Sequence, residues 1–179
     1  MSEPWSQLSN EERLTTIARS WRYVAPTALI TASLGLMLLP VWLPGPVLPQ
    51  IGLLGILYWA STRPDVMPPG AAFIVGLVQD LWLGQPLGLN ASLLALTAWV
   101  LGGQAMVYES RPFRFGWLVA VPFVLLYQLL TWAMSHALGY AGPLSRMFWQ
   151  AGTTILAYPV AVWIHAKIQR RVTDPLLYL

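Results

Sequence analysis

The sequence predicts an all-α polytopic membrane protein with six transmembrane helices, and three observations lead to that fold class. Of the 179 residues, 56% are hydrophobic and only 9% are charged, and the mean hydropathy is +0.58. Soluble domains carry about 25% charged residues. Long apolar segments recur along the chain, and nearly all basic residues fall in alternate connections between them. The length suits one domain, so we expect a single helix bundle in lipid.

Six apolar segments account for the predicted helices. Crossing the hydrocarbon core takes about 20 helical residues. Four segments reach or approach this length: 24–43, 91–107, 115–138 and 147–166. Two more, 47–60 and 71–83, are short. We expect flanking residues to lengthen the short segments or neighbouring helices to shield them.

The basic residues predict the orientation of the bundle. With six spans and a cytoplasmic N-terminus, Arg146 alone lies on the outer side. The other basic residues fall inside, as positive-inside topology requires: Arg13, Arg19, Arg22, Arg63, Arg111, Arg114, Lys167, Arg170 and Arg171. The alternative to six spans is a re-entrant hairpin made of the two short segments. That topology would bury Arg63 and Asp65 in the membrane, at a cost of about 2.5–3.5 kcal/mol per charge. Six spans place both termini in the cytoplasm, and the net charge of +3 needs no nucleic-acid partner.

The chain divides into three parts: a cytoplasmic amphipathic arm (1–22), the six-helix membrane domain (23–166) and a basic cytoplasmic tail (167–179). Residues 9–12, SNEE, fit a helix-capping box. An apolar face follows at helical spacing through Leu14, Ile17, Ala18 and Trp21. This pattern predicts a helix that lies on the inner leaflet of the membrane. The alternative is that the arm is a docking site for a cytoplasmic partner. It does not resemble a cleavable signal peptide.

Aromatic residues and histidines support the segment boundaries. Tryptophans are enriched at membrane interfaces, and six lie near predicted segment ends: Trp21, Trp42, Trp59, Trp82, Trp117 and Trp149. Trp99 and Trp132 are expected to pack within the bundle or against lipid. His136 and His165 are predicted to be interfacial residues near opposite membrane faces, so they cannot share a metal.

Asp80 is the clearest ionisable residue inside a predicted span, and such residues are costly enough to be functional candidates. It lies near the outer end of 71–83 and precedes a turn rich in glycine and proline, GQPLGLN at 84–90. In one interpretation, Asp80 and Asn90 hold this turn together. In the other, Asp80 is a proton or cation site.

Other polar residues give little indication of chemistry. Gln104, Gln128 and Gln150 lie in three predicted spans and suggest interhelical hydrogen bonds, or alternatively a ligand pocket. The chain has no cysteine, which removes disulfides and thiolate metal sites. No nucleophile–base pair or metal-ligand spacing is recognisable. We therefore predict no catalytic residues, no metal and no cofactor.

One block of residues carries a family resemblance. It consists of Arg63-Pro64, Pro69, Phe73, Gly76-Leu77, Gln79-Asp80, Gly84, Pro86-Leu87-Gly88 and Asn90. This block resembles the signature region of the MreD family of bacterial rod shape-determining membrane proteins. The length, the six-segment hydropathy and the two short segments are also similar to that family.

The resemblance implies a non-catalytic component of the cell-elongation machinery in the bacterial inner membrane. It implies direct pairing with the single-span protein MreC. It also implies a complex with MreB, RodA and an elongation-specific penicillin-binding protein that directs lateral peptidoglycan synthesis. The fold is expected to be similar to that of substrate-binding components of energy-coupling-factor transporters. The signature positions are candidates for the partner surface: Arg63, Pro64, Gly76, Asp80, Gly84, Pro86, Gly88 and Asn90.

Two other functions compete with this scaffold. A small-molecule, vitamin-type binding component of an uptake transporter would need a polar pocket, to which Asp80, Trp82, Asn90 and Gln150 are the candidates to contribute. A lipid-modifying enzyme would need a nucleophile–base pair or a metal cluster, which the sequence does not show.

Overall fold

The computed structural model describes residues 24–35, 48–104, 113–140 and 142–173. These residues form helices and turns, without a strand. The helices are α1 (Val24–Leu34), α2 (Ile51–Thr62), α3 (Pro69–Leu83), α4 (Leu89–Gly102), α5 (Phe113–Ala137) and α6 (Leu144–Ile168), and a π-helical turn (Gln169–Thr173) follows α6. Each predicted segment thus contains one helix. The predicted arm, the end of the first segment, Trp21, Trp42, Arg111 and residues 174–179 lie outside the described residues.

Helix α2 forms the centre of the bundle. Ten consecutive residues, 52–61, are buried, so this helix has no exposed face. Two glycines allow its close contacts. A Cβ on Gly55 would lie 2.7 Å from Cγ1 of Ile30 in α1, and one on Gly52 would overlap the side-chain oxygen of Gln79 in α3. The expectation that neighbouring helices shield a short segment is therefore confirmed for α2.

Helices α5 and α6 are the long pair, with 25 residues each. They run antiparallel, because the indole of Trp117 donates to the carbonyl of Ile155 and that of Trp132 to the carbonyl of Gly142, both at 3.2 Å. Within the described residues, one helix is long and apolar enough by itself to cross a membrane, Arg114–Ala137. Helices α1 to α4 are apolar but shorter.

The bundle has two ends that differ in charge. One end contains the α3–α4 turn and the start of α6. We call it the cradle end, because the hydrogen-bonded cradle around Asp80 lies there. The other contains the α2–α3 connection, and we call it the Arg63 end. Of the described basic residues, Arg146 lies at the cradle end, and the Arg63 end carries the rest: Arg63, Arg114, Lys167, Arg170 and Arg171. The fold thus gathers at one end the five described basic residues that were predicted to face the cytoplasm.

Two predicted interfacial residues are in fact buried. Trp59 is 0% exposed and His165 is 7% exposed, and their rings lie 6.4 Å apart between α2 and α6. A position near the end of a segment predicts how deep a residue lies in the membrane, but not whether its side chain faces lipid or the bundle. Both side chains point into the bundle, because α6 covers the central helix. Trp82, Trp117 and Trp149 are exposed, as interfacial anchors require.

The two histidines lie toward opposite ends, as predicted. His136 is exposed in the last turn of α5, at the cradle end. His165 is in the last turn of α6, which runs in the opposite direction. The two rings therefore belong to no common site.

Candidate functional site

The candidate site is a buried carboxylate at the cradle end. The structure brings five of the eight signature residues together there: Asp80, Gly84, Pro86, Gly88 and Asn90. Gly76 lies one turn further down α3, at the crossing with α4. Arg63 and Pro64 lie at the Arg63 end, so the signature does not form one contiguous surface.

Asp80 accepts four hydrogen bonds from the beginning of α4. Its Oδ2 accepts from the backbone N–H of Gly88 at 2.9 Å and of Ala91 at 3.3 Å. Its Oδ1 accepts from the backbone N–H of Asn90 at 3.0 Å and from the Asn90 amide Nδ2 at 2.8 Å. The side chain is 0% exposed. We call Asp80 and these three partners the carboxylate cradle.

Helix termini explain why a carboxylate is stable in this position. The first N–H groups of a helix lack partners within the helix, and the macrodipole places a partial positive charge there. Leu89 N–H donates to the carbonyl of Pro86, and Ser92 N–H donates to that of Gly88. Asp80 caps the N–H groups between them, so a residue of α3 supplies the N-terminal cap of α4.

Glycines make the intervening turn possible. Gly84 ends α3 with φ 62° and Gly88 precedes α4 with φ 91°, both in the left-handed region. Side chains with a Cβ rarely adopt that conformation. The carbonyl of Asp80 accepts from the N–H of Gly84 and from that of Gln85 at 3.0 Å, which closes the C-terminus of α3. The turn is thereby short enough for the Asp80 side chain to reach α4.

Gly76 is required by the close approach of α3 and α4. A Cβ at this position would lie 2.6 Å from the backbone nitrogen of Ala91 and 2.7 Å from the carbonyl carbon of Asn90. Backbone atoms cannot move aside as a flexible side chain can. The glycine therefore sets the helix separation at which the cradle forms.

The cradle extends to α5 through Tyr127. The Asn90 amide donates to Asp80, while its Oδ1 accepts a hydrogen bond from the Tyr127 hydroxyl. Asn90 is 1% exposed and Tyr127 3%. Sequence reasoning missed Tyr127, although a buried amide has more hydrogen-bonding groups than one carboxylate satisfies. That unmet requirement is the signal from which a further partner could have been predicted.

A second series of hydrogen bonds between polar residues lies beside the cradle. Sequence reasoning did not predict these bonds either. Gln79 donates from Nε2 to Oε1 of Gln50 at 3.0 Å, and the backbone N–H of Gln50 donates to Oγ1 of Thr154 at 3.0 Å. These bonds join α3, the start of α2 and α6. They perform the interhelical role that was predicted for other glutamines.

The three glutamines singled out from the sequence do not form short interhelical hydrogen bonds among the described residues, and two of them, Gln128 and Gln150, line a cleft as the alternative interpretation proposed. Gln104 follows the end of α4 and is exposed, so it does not lie within a helix. Gln150 makes one long contact, from Nε2 to the carbonyl of Leu48 at 3.5 Å. Gln128 is 3% exposed, and its Nε2 has no hydrogen-bond partner among the described residues.

At the Arg63 end, the signature residues form a separate arrangement. Arg63 pairs with Asp65 through two hydrogen bonds of 3.1 Å, from Nε to Oδ1 and from Nη2 to Oδ2. A Cβ on Gly102 would lie 3.4 Å from Cβ of Pro64, so this connection packs against the end of α4. The pair lies near the surface, where ion pairs contribute about 0–1 kcal/mol.

The geometry decides between the two interpretations of Asp80. An ionised carboxylate offers about four lone-pair sites, and four donors occupy them here without solvent access. The turn-holding role is confirmed, and the oxygens have no free site for a cation. Groups of three or more potential metal-ligating side chains do not occur among the described residues.

A cleft of about 230 Å³ also opens at the cradle end, between α5, the start of α6 and the α3–α4 turn. Gln150 lines it, as the small-molecule hypothesis required. Asp80, Trp82 and Asn90 do not line it. The cleft opens to the surface and does not form a closed polar cavity.

The comparisons with known proteins agree with the signature. The family model described as "rod shape-determining protein MreD" matches residues 19–165. The chain is also 29% identical over 140 residues to a rod shape-determining protein MreD of Haemophilus influenzae, covering 76% of this chain and 78% of that protein. No solved structure matches the chain. The chain therefore belongs to the MreD family of membrane proteins, which take part in rod shape determination.

Proposed function

We propose that this protein is a non-catalytic scaffold of the rod complex in the bacterial inner membrane. In this proposal it pairs directly with MreC and acts with MreB, RodA and an elongation-specific penicillin-binding protein to direct lateral peptidoglycan synthesis. The family match over residues 19–165 is the observation that carries the proposal. The polar interior supports it, because the cradle uses its buried carboxylate to join helices.

The proposal includes six spans with both termini in the cytoplasm. Its support is the clustering of five described basic residues at the Arg63 end, against Arg146 at the cradle end. This arrangement follows the positive-inside rule when the Arg63 end faces the cytoplasm. The arm 1–22 and the tail 167–179 then lie on the cytoplasmic side. The likeness to substrate-binding components of energy-coupling-factor transporters remains part of the proposal.

The signature residues of the cradle remain candidates for the partner surface, and in our proposal they shape an apolar groove between α4 and α5 that the partner contacts. The groove has a volume of about 160 Å³, and its lining includes Leu93, Leu96, Val100, Phe123, Leu126 and Leu130. Leu96 is 52% exposed and Leu126 55% exposed. Tyr127 also lines the groove, so the Asn90–Tyr127 hydrogen bond fixes one of its walls to the other. We assign the groove to an apolar side chain of the single membrane helix of MreC, since helices dock on such surfaces by inserting apolar anchor residues.

Capture of MreC tests this assignment. Leu96→Trp and Leu126→Trp fill the groove, and each is expected to lower the MreC that co-purifies in detergent about tenfold, or ~1.4 kcal/mol. Leu156→Trp is the matched control, because Leu156 is 74% exposed on α6, away from the groove. Unchanged capture by both groove variants would contradict the assignment.

The cradle gives a second test of the same surface. Asp80→Ala and Gly84→Leu disturb the α3–α4 turn, and at normal expression levels both are expected to capture less MreC. Asp65→Ala removes a carboxylate at the other end of the bundle and is expected to capture as much as the wild type. If the two cradle variants retain wild-type capture, the turn does not shape the partner surface.

A further inference from the structure

The cleft at the cradle end contains polar groups that have no hydrogen-bond partner among the described residues. Gln128, Thr131 and Ser135 follow one face of α5 and line the cleft. Gln128 Nε2, Thr131 Oγ1 and Ser135 Oγ are buried without a hydrogen-bond partner among the described residues. An unmade hydrogen bond at such an atom costs about 1–3 kcal/mol. Three of them on one helix face indicate a site that an external ligand completes.

The groups around the cleft favour an anion. Arg146 lines it, is exposed, and forms no ion pair with a carboxylate among the described residues. The residues that line the cleft include no aspartate or glutamate. Helix α6 begins beside it with Pro143 as N-cap, a residue without a capping side chain, so the positive end of the helix dipole is uncovered. Hydroxyls, an amide and a guanidinium together supply donors for a ligand rich in oxygen atoms.

The surroundings favour a ligand with an apolar part. Tyr140 lines the cleft and is 70% exposed. Further exposed apolar residues are close neighbours of the lining residues along the chain, and with Tyr140 we call them the apolar rim: Leu138, Leu144, Phe148 and Trp149. From Ser135 to Gln128 the cleft descends along α5 by roughly 10 Å at 1.5 Å per residue. The family is a membrane family, and α5 is long and apolar enough to span a bilayer by itself, so we place its final turns at head-group depth. The volume far exceeds the about 10–15 Å³ that one water needs.

We infer that this cleft binds the phosphate of one phospholipid molecule, with Arg146 at its mouth and Gln128 at its base. Arg146 pairs with the phosphate oxygens, and the hydroxyls of Thr131 and Ser135 and the Gln128 amide donate to the head group. The acyl chains lie against the apolar rim. This site depends on the membrane location of the family and not on the proposed partners.

Native mass spectrometry of the full chain in detergent tests the site with added phosphatidylglycerol. The wild type is expected to retain one molecule per chain. Arg146→Ala and Gln128→Leu are each expected to lower the retained fraction about tenfold, the effect of losing one hydrogen bond to a charged group. Arg114→Ala is the matched control, because Arg114 is an exposed arginine at the opposite end of α5 and outside the cleft.

Two further arms identify the ligand. Diacylglycerol with the same acyl chains lacks the phosphate and is expected not to be retained. Inorganic phosphate at millimolar concentration is expected not to displace the lipid. Retention of diacylglycerol to the same extent, or displacement by phosphate, would contradict a phospholipid site.

The variants also separate binding from folding. Gln128→Leu replaces an unpaired amide by an apolar side chain of similar size, so the thermal stability is expected to be kept. A loss of lipid without a loss of stability supports the site. If Arg114→Ala lowers the retained lipid as much as Arg146→Ala does, the site is overturned. It is also overturned if the wild type retains no lipid, as it would if the cleft instead bound an acidic peptide.

Discussion

Helix α5 borders two polar clusters whose hydrogen bonding differs completely. Tyr127 belongs to the cradle, where Asp80 and Asn90 have their donors and acceptors paired. Gln128, the next residue, lines the cleft with its amide nitrogen unpaired. Both residues are 3% exposed. The two residues are therefore equally buried, and they differ in that the Tyr127 hydroxyl has a hydrogen-bond partner whereas the Gln128 amide nitrogen has none among the described residues.

Loss of the carboxylate is the most severe way to break the cradle. Asp80→Ala leaves three backbone N–H groups and one amide without their acceptor, and we expect the free energy of unfolding to fall by roughly 3–5 kcal/mol. Titration with a denaturing detergent measures this change. Asp65→Ala, at a half-exposed carboxylate, is expected to change it by less than about 1 kcal/mol. Similar losses for both variants would show that the cradle is not specially stabilising.

The helix separation at Gly76 is the next most sensitive feature. In Gly76→Ala the new Cβ meets the backbone of Ala91, so we expect the free energy of unfolding to fall by about 1–3 kcal/mol. Gly70→Ala is the matched control in the same helix, since a Cβ there meets nothing within 4 Å. That control is expected to be neutral or stabilising by up to about 1 kcal/mol. Tolerance of both alanines would mean that α3 and α4 have room to separate.

The link to α5 has a smaller expected effect. Tyr127→Phe removes one hydroxyl and leaves Oδ1 of Asn90 unpaired, which should lower the free energy of unfolding by about 1–2 kcal/mol. Tyr140→Phe, at a 70% exposed tyrosine, should be neutral in the same measurement. A neutral Tyr127→Phe would show that the cradle ends at Asn90.

Substitution of a polar residue in the cleft should not lower the free energy of unfolding, in contrast to the cradle variants. Gln128→Leu removes a buried amide nitrogen that has no hydrogen-bond partner among the described residues, so the free energy of unfolding should stay constant or rise by up to about 1 kcal/mol. The denaturing-detergent titration used for the cradle variants measures it in lipid-depleted protein. A clear loss of stability would show that the amide is bonded within the fold, and the contrast between the two sides of α5 would disappear.

Local sequence patterns predicted the elements that local physics determines. The apolar segments predicted all six described helices, because a helix of 11 to 25 residues that is buried or faces lipid requires a continuous apolar run. The relation of Asp80 to the turn was also predictable, because the carboxylate and its donors are only 8 to 11 residues apart. Glycines at 84 and 88 permit the turn by conformation alone.

The tertiary structure decided which apolar helix is central and which polar residues meet. Helix α2 is apolar on every face, so its sequence shows no preferred side and did not reveal the burial of Trp59 against His165. Tyr127 and Gln128 have similar surroundings in the sequence, yet a rotation of 100° per residue directs them to different neighbours. Partners distant along the chain, 37 residues in the case of Asn90 and Tyr127, are brought together only by helix packing.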